Sequence, residues 1–142
     1  MTARTYAEPS HEQAEAIAGN TRLLTEAFTN MSGESLPPGR AGVIFLDGFI
    51  ERQRGHGDEA QRTKLAEMAA CYLGEALIAE VGGRWVQDPD HGLGVELTSD
   101  LVAFPFAKTS KHFANGAEDS VRSLFESAAA LAADQRRRAA PS

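Results

Sequence analysis

The chain has 142 residues, 20 acids against 14 lysines and arginines, and one cysteine. That length makes a single domain, residues 1–142, able to bury about 68–70% of its unfolded surface without a disulfide or a metal. A net charge of −6 works against nucleic-acid binding, the lone Cys71 excludes an internal disulfide framework, and no apolar run approaches a membrane span.

Residues 1–9 read as loose chain, and Met1 to Thr5 lacks the apolar stretch of a secretion signal. Ser10 and Gln13 form a capping-box pattern, and Ile17, Leu24, Phe28 and Met31 recur at helical spacing. The spacing predicts a helix over 10–31, interrupted by the weak formers Gly19 and Asn20 and appended to a core over 42–135. Gly33, Pro37, Pro38 and Gly39 place a loop over 32–40. Residues 41–54 carry two signals. Val43 to Leu46 suits a buried strand, yet Val43, Leu46, Phe49 and Ile50 keep helical spacing, so a helix is expected, with 42–47 its undecided part.

Gly55-His56-Gly57 reads as a hinge, after which Asp58 and Gln61 repeat the capping box. Leu65, Met68, Ala69, Tyr72, Ala76 and Ala79 mark a long helix that Gly82 and Gly83 end. Gly74 interrupts it, which points to a neighbouring backbone in close approach. Three strands should follow. Arg84 to Gln87 is the first, and Asp88-Pro89-Asp90-His91-Gly92 is a dense turn signal. Leu93, Val95 and Leu97 alternate, and so do Val102, Phe104 and Phe106, with Pro105 requiring an outward or edge position. The connections are too short for crossovers, so the strands form an antiparallel meander. Trp85 should pack between sheet and helix with its indole N–H satisfied.

Ser110 is expected to cap a short turn holding Lys111, His112 and Phe113, with Asn115-Gly116 as its stop. Glu118 and Asp119 then suit the first turn of a last helix faced by Val121, Leu124, Phe125, Ala128, Leu131 and Ala132. Residues 139–142 read as disordered, and Arg136, Arg137 and Arg138 as part of a tail. Without those three, 11 bases stand against 20 acids, a body of −9. The fold class is α+β: a three-stranded antiparallel meander with about four helices packed mainly on one face.

Glu75 is the only charge between Ala69 and Ala79, so it is the candidate general acid or base. Cys71 with His56, His91 or His112 would make a nucleophile pair, but its apolar neighbours mark it as a core thiol. Asp88, Asp90 and His91 miss the calcium-loop spacing and read as a turn. Lys108, Lys111 and His112 are the positive cluster of an acidic body and the candidate anion or ligand site. Arg52, Arg54, Arg62 and Lys64, interleaved with acids, read as a salt-bridged surface. No phosphate loop, zinc spacing or nucleophile elbow occurs, so no cofactor is expected.

The runs Tyr72-Leu73-Gly74-Glu75, Gly82-Gly83-Arg84-Trp85-Val86, Gly94-Val95-Glu96-Leu97, Phe104-Pro105-Phe106-Ala107-Lys108 and Asn115-Gly116 through Asp119-Ser120 resemble a family of small bacterial domains of unknown function. The resemblance covers residues 42–126 and leaves out the N-terminal helix. It implies a bacterial source and a helix–meander–helix order, and it passes no catalytic role to any residue.

The expected function is a non-enzymatic cytoplasmic binding module that meets a basic protein through an acidic surface, as an immunity protein meets a toxin. The alternatives are a small-molecule or anion-binding domain using Lys108 to His112, and a small hydrolase-like enzyme centred on Glu75.

Overall fold

Five helices and a three-stranded antiparallel sheet make up residues 5–140, the part of the chain that the computed structural model describes. The expectations for residues 1–4 and 141–142 lie outside the described residues. Helix α1 spans His11–Ser32, α2 Arg40–Gln53 and α3 Glu59–Val81. Strands β1 (Arg84–Asp88), β2 (Gly92–Thr98) and β3 (Leu101–Ala103) follow, then α4 (Pro105–Asn115), a 3₁₀ turn (Gly116–Asp119) and α5 (Val121–Ala139).

Both capping boxes form. Ser10 and Asp58 accept the backbone N–H of Gln13 and Gln61, and each glutamine side chain returns a bond to the cap backbone. Residues 42–47 are helical, because Val43, Leu46 and Ile50 on one side of α2 are all fully buried. α1 enters the same core: the Phe28 ring lies 4.8 Å from Phe45, 5.3 Å from Phe49 and 5.3 Å from Tyr72. Such tilted and edge-on contacts suit the aromatic quadrupole.

The sheet order is β1-β2-β3, with Trp85 opposite Val95 and Val95 opposite Ala103. Alternation along a strand puts these three side chains on one face, where Val95, Leu97 and Ala103 join the helical core. N-terminal to α1, Ala7 pairs with Gln87, whose N–H donates to the Ala7 carbonyl at 2.8 Å, so the segment before the first cap is tied to β1.

Four local expectations need correction. The third strand stops at Ala103, and Pro105 opens α4 instead of continuing an alternation through Phe106. Proline's fixed φ and missing N–H suit the first helical position as well as a strand edge, and here the helix prevails. Ser110 to Phe113 therefore lies inside α4 and is not a separate capped turn. Glu118 and Asp119 sit in the 3₁₀ turn, and Ser120 is the true cap of α5, accepting from the N–H groups of Arg122 at 3.1 Å and Ser123 at 3.3 Å. Arg136, Arg137, Arg138 and Ala139 do not form a loose tail but make the end of α5, which Ala140 caps. Arg136 donates to the Val81 carbonyl and, at 2.8 Å, to the Leu97 carbonyl. A cation is thereby placed at the C-terminal end of α3, where free carbonyls and the helix dipole favour it.

Candidate functional site

The expected cluster of Lys108, Lys111 and His112 does not form one site. Two of the three residues are turned to different environments by the helix that carries them. His112 faces inward from α4 and is completely buried. Its Nδ1 accepts the Val121 backbone N–H at 3.2 Å, and its Nε2 lies 2.9 Å from Glu51 Oε1. Because Nδ1 is an acceptor, the proton sits on Nε2 and is donated to Glu51. Lys108 is partly buried, with Nζ 3.4 Å from Asp119 Oδ1. Lys111 is exposed. The Asn115 amide first, and Lys108 behind it, hold the Asp119 carboxyl below the usual carboxylate range.

His112 belongs instead to a network that spans α2, α4 and α5. The Ser120 hydroxyl donates to Asp47, and Asp47 also accepts the Arg122 N–H at 3.1 Å. Arg54 lies 3.5 Å from Glu51 and donates to the Phe113 carbonyl at 3.2 Å. A serine, a histidine and two carboxylates therefore meet, but not in nucleophilic order: Ser120 bonds to Asp47, and both ring nitrogens of His112 are engaged elsewhere. Sequence reasoning missed Asp47, Glu51 and Ser120. One signal was available, since Asp47 and Glu51 are the only acids of α2 and lie four apart on one side of it.

Glu75 also has a structural task. Its Oε2 accepts the Trp85 indole N–H at 2.9 Å. The ring of Trp85 lies over Gly74, where a Cβ would overlap the indole carbons Cζ2 and Cη2. Gly74 thus admits a side chain from β1 and not the neighbouring backbone expected. Phe106 stands edge-on to the indole at 6.2 Å, and Trp85 is partly rather than fully buried. Glu75→Gln keeps an acceptor for the indole and should cost under about 1 kcal/mol in a denaturant melt, whereas Glu75→Leu should cost about 1–2 kcal/mol by orphaning the N–H. Equal losses from the two variants would separate Glu75 from the indole.

Cys71 is buried, and that burial pushes its thiol up, against a smaller opposite effect of the Asn20 amide, which donates to its Sγ at 3.8 Å. Among the described residues no histidine joins it: His11 meets Glu15, His56 and His91 lie on exposed loops, and His112 is occupied as described. Asp88 Oδ1 accepts the N–H groups of Asp90 at 2.8 Å and His91 at 3.1 Å and meets His91 Nδ1 at 3.2 Å, which builds the turn between β1 and β2. Among the described residues no group of three or more His, Cys, Asp or Glu is placed to hold a metal ion, and no helix is long and apolar enough to cross a membrane.

Compared with protein-family models, with curated proteins and with solved structures, the chain has no match. The functional reading therefore rests on the geometry of its own residues.

Proposed function

We propose that this protein is a non-enzymatic, cytoplasmic binding module that recognises a basic protein through the outward face of α1. The observation that carries the reading is the charge of that face. Segment 5–39 holds five acids, Glu8, Glu12, Glu15, Glu26 and Glu34, against the single base Arg22. At 100° per residue, Glu12, Glu15 and Glu26 project from the side opposite the buried Ile17, Leu24 and Phe28, and the exposed Arg22 projects there too, so three acids stand against one base on that face. Glu12 and Glu26 have no ion-pair partner among the described residues, while Glu15 meets His11 at 3.0 Å. Leu23, 52% exposed and three residues before Glu26, adds apolar contact area beside the acids.

The non-enzymatic half of the reading is supported by the employment of the candidate catalytic groups. Glu75 holds Trp85, His112 holds the start of α5, and Cys71 is enclosed. A buried unpaired thiol also fits a reducing compartment. The arrangement is of the kind an immunity protein offers to a basic toxin, an analogy of size and charge.

The expected result is fast association that salt slows. Basic proteins retained on the immobilised chain at low salt would be purified and their kinetics followed by biosensor across a salt series. Raising the ionic strength should lower the on-rate about tenfold, since charges are screened over about 8 Å at physiological salt. Reversing Glu12, Glu15 and Glu26 to lysine should lower it by a similar factor and change the off-rate less. These side chains are exposed, so the fold should survive, as far-UV circular dichroism would check. An on-rate indifferent to both salt and charge reversal would remove α1 as the recognition face.

A further inference from the structure

A cleft of about 420 Å³ opens between β3, α4 and α5. Its walls are apolar: Val102, Phe104, Ala107 and Leu124. Its rim carries Lys108, Lys111 and His91, the last brought from the turn after β1. The His91 ring lies 5.1 Å from the ring of Phe104 and is tied through Nδ1 to Asp88, so the histidine closes one wall of the cleft. We propose that this cleft binds a small organic carboxylate with an apolar body. The site is independent of the acidic face of α1, because no residue of that helix lines it.

The ligand class follows from the two kinds of lining. A volume of this size with apolar walls and a few polar groups at one side is the usual form of a small-molecule site. An inorganic anion would leave the walls of Val102, Phe104 and Leu124 in contact with water. A neutral apolar molecule would leave the rim charge unused. The rim charge is largely matched: Asp119 lies 3.4 Å from Lys108, and Asp88 is held by His91 and by the backbone N–H groups of its own turn. That leaves Lys111 as the rim cation for a ligand, which suits a monoanion better than a dianion. Lys108 is thus committed to Asp119, whereas the exposed Lys111 has no ion-pair partner among the described residues and can turn to the ligand. Lysine suits that task, since its charge is compact and its stem flexible.

The test uses the full chain, labelled with nitrogen-15 and titrated with hexanoate while amide shifts are followed. Hexanol, inorganic phosphate and hexylammonium serve as comparison probes at constant ionic strength. Hexanoate should give saturable shifts confined to the amides around the cleft, those of His91, Val102 to Phe104, Phe106 to Lys108, Lys111 and Leu124, with an affinity about tenfold above hexanol and phosphate. Hexylammonium should give none. Lys111→Glu should weaken hexanoate about tenfold. Ala107→Phe should abolish the shifts by filling the cleft, and both positions are exposed, so neither variant threatens the fold. Linear or dispersed shifts would overturn the site altogether. Hexanol binding as tightly as hexanoate, or Lys111→Glu binding it unchanged, would overturn the carboxylate, and phosphate binding as tightly would overturn the apolar body.

Discussion

Gly42→Ala should destabilise the protein by about 3 kcal/mol, even though alanine in a helix interior is worth about 1 kcal/mol more than glycine. The reason lies thirty residues away. A Cβ on Gly42 would overlap the hydroxyl of Tyr72 and lie 2.8 Å from its Cζ and 3.0 Å from the Pro37 carbonyl oxygen. Tyr72 cannot move aside cheaply. Its side chain is fully buried and packed edge-on against Phe28, and its hydroxyl donates to the Leu36 carbonyl at 2.9 Å with the Pro37 carbonyl at 3.2 Å. Burial has pushed the phenol up to about 12, so it remains a donor throughout the ordinary pH range. Two other glycines supply the contrast. At Gly19 in α1 an added Cβ meets nothing within 4 Å, and at Gly48 in α2 it meets only the flexible guanidinium of Arg52, at 3.2 Å. Gly19→Ala should therefore stabilise by about 1 kcal/mol, and Gly48→Ala by somewhat less. Urea melts would measure all three. Tyr72→Phe in the Gly42→Ala background should recover part of the loss, with a coupling of at least about 1 kcal/mol, because it removes the overlapped oxygen. A Gly42→Ala variant as stable as Gly19→Ala would show that α2 and α3 are not held at this contact.

Local chemistry was legible in the sequence, and long-range chemistry was not. The two capping boxes, the glycine ends of α3 and the antiparallel meander each depend on residues within a few positions of one another, and each formed. Gly74 and Glu75 were visible as oddities in an apolar helix, but the single side chain that explains both, Trp85, sits on the next strand. Pro105 was ambiguous because its chemistry serves a strand edge and a helix start alike. The three arginines of α5 resembled a tail by composition, whereas Arg136 reaches the carbonyls of Val81 and Leu97, and Arg137 and Arg138 meet Asp134 at 3.5 Å and 3.1 Å. The −9 body was overstated for the same reason, since all three arginines lie in α5 and the charge with them is −6. As for the candidate site, a cluster close in sequence was divided by the geometry of one helix, which sends His112 inward and leaves Lys111 in solvent. The residue that joins the lysines at the cleft, His91, comes from the turn after β1, and its local pattern signalled that turn and not a meeting with α4.

His112→Ala should cost about 3 kcal/mol, and the order of milder variants should reveal which of its two bonds matters more. The imidazole fills a fully buried space between α2, α4 and α5, so truncation leaves a cavity. It also strands the Val121 N–H, which is buried and lies in the first turn of α5, where no carbonyl of that helix can accept it. Glu51, by contrast, is 37% exposed at its side chain and keeps Arg54 at 3.5 Å, so losing the histidine leaves it with water and a cation. The Val121 bond should therefore dominate. An asparagine at 112 can offer its carbonyl where Nδ1 lies and keep that bond, while a glutamine reaches toward the Nε2 position and keeps the bond to Glu51. Stability measured by denaturant melts should fall in the order wild type, His112→Asn, His112→Gln, His112→Ala. Ser120→Ala should add a smaller loss, about 1 kcal/mol, as the helix cap and the donor to Asp47 go together. Hydrogen exchange gives an independent reading: in His112→Ala the first turn of α5 should exchange faster while the capping box of α3 stays protected, because only the former depends on this side chain. If His112→Gln proved the more stable of the two amide variants, the bond to Glu51 would be the one that fastens α4 to α2, and the start of α5 would be held by Ser120 and Asp47 alone.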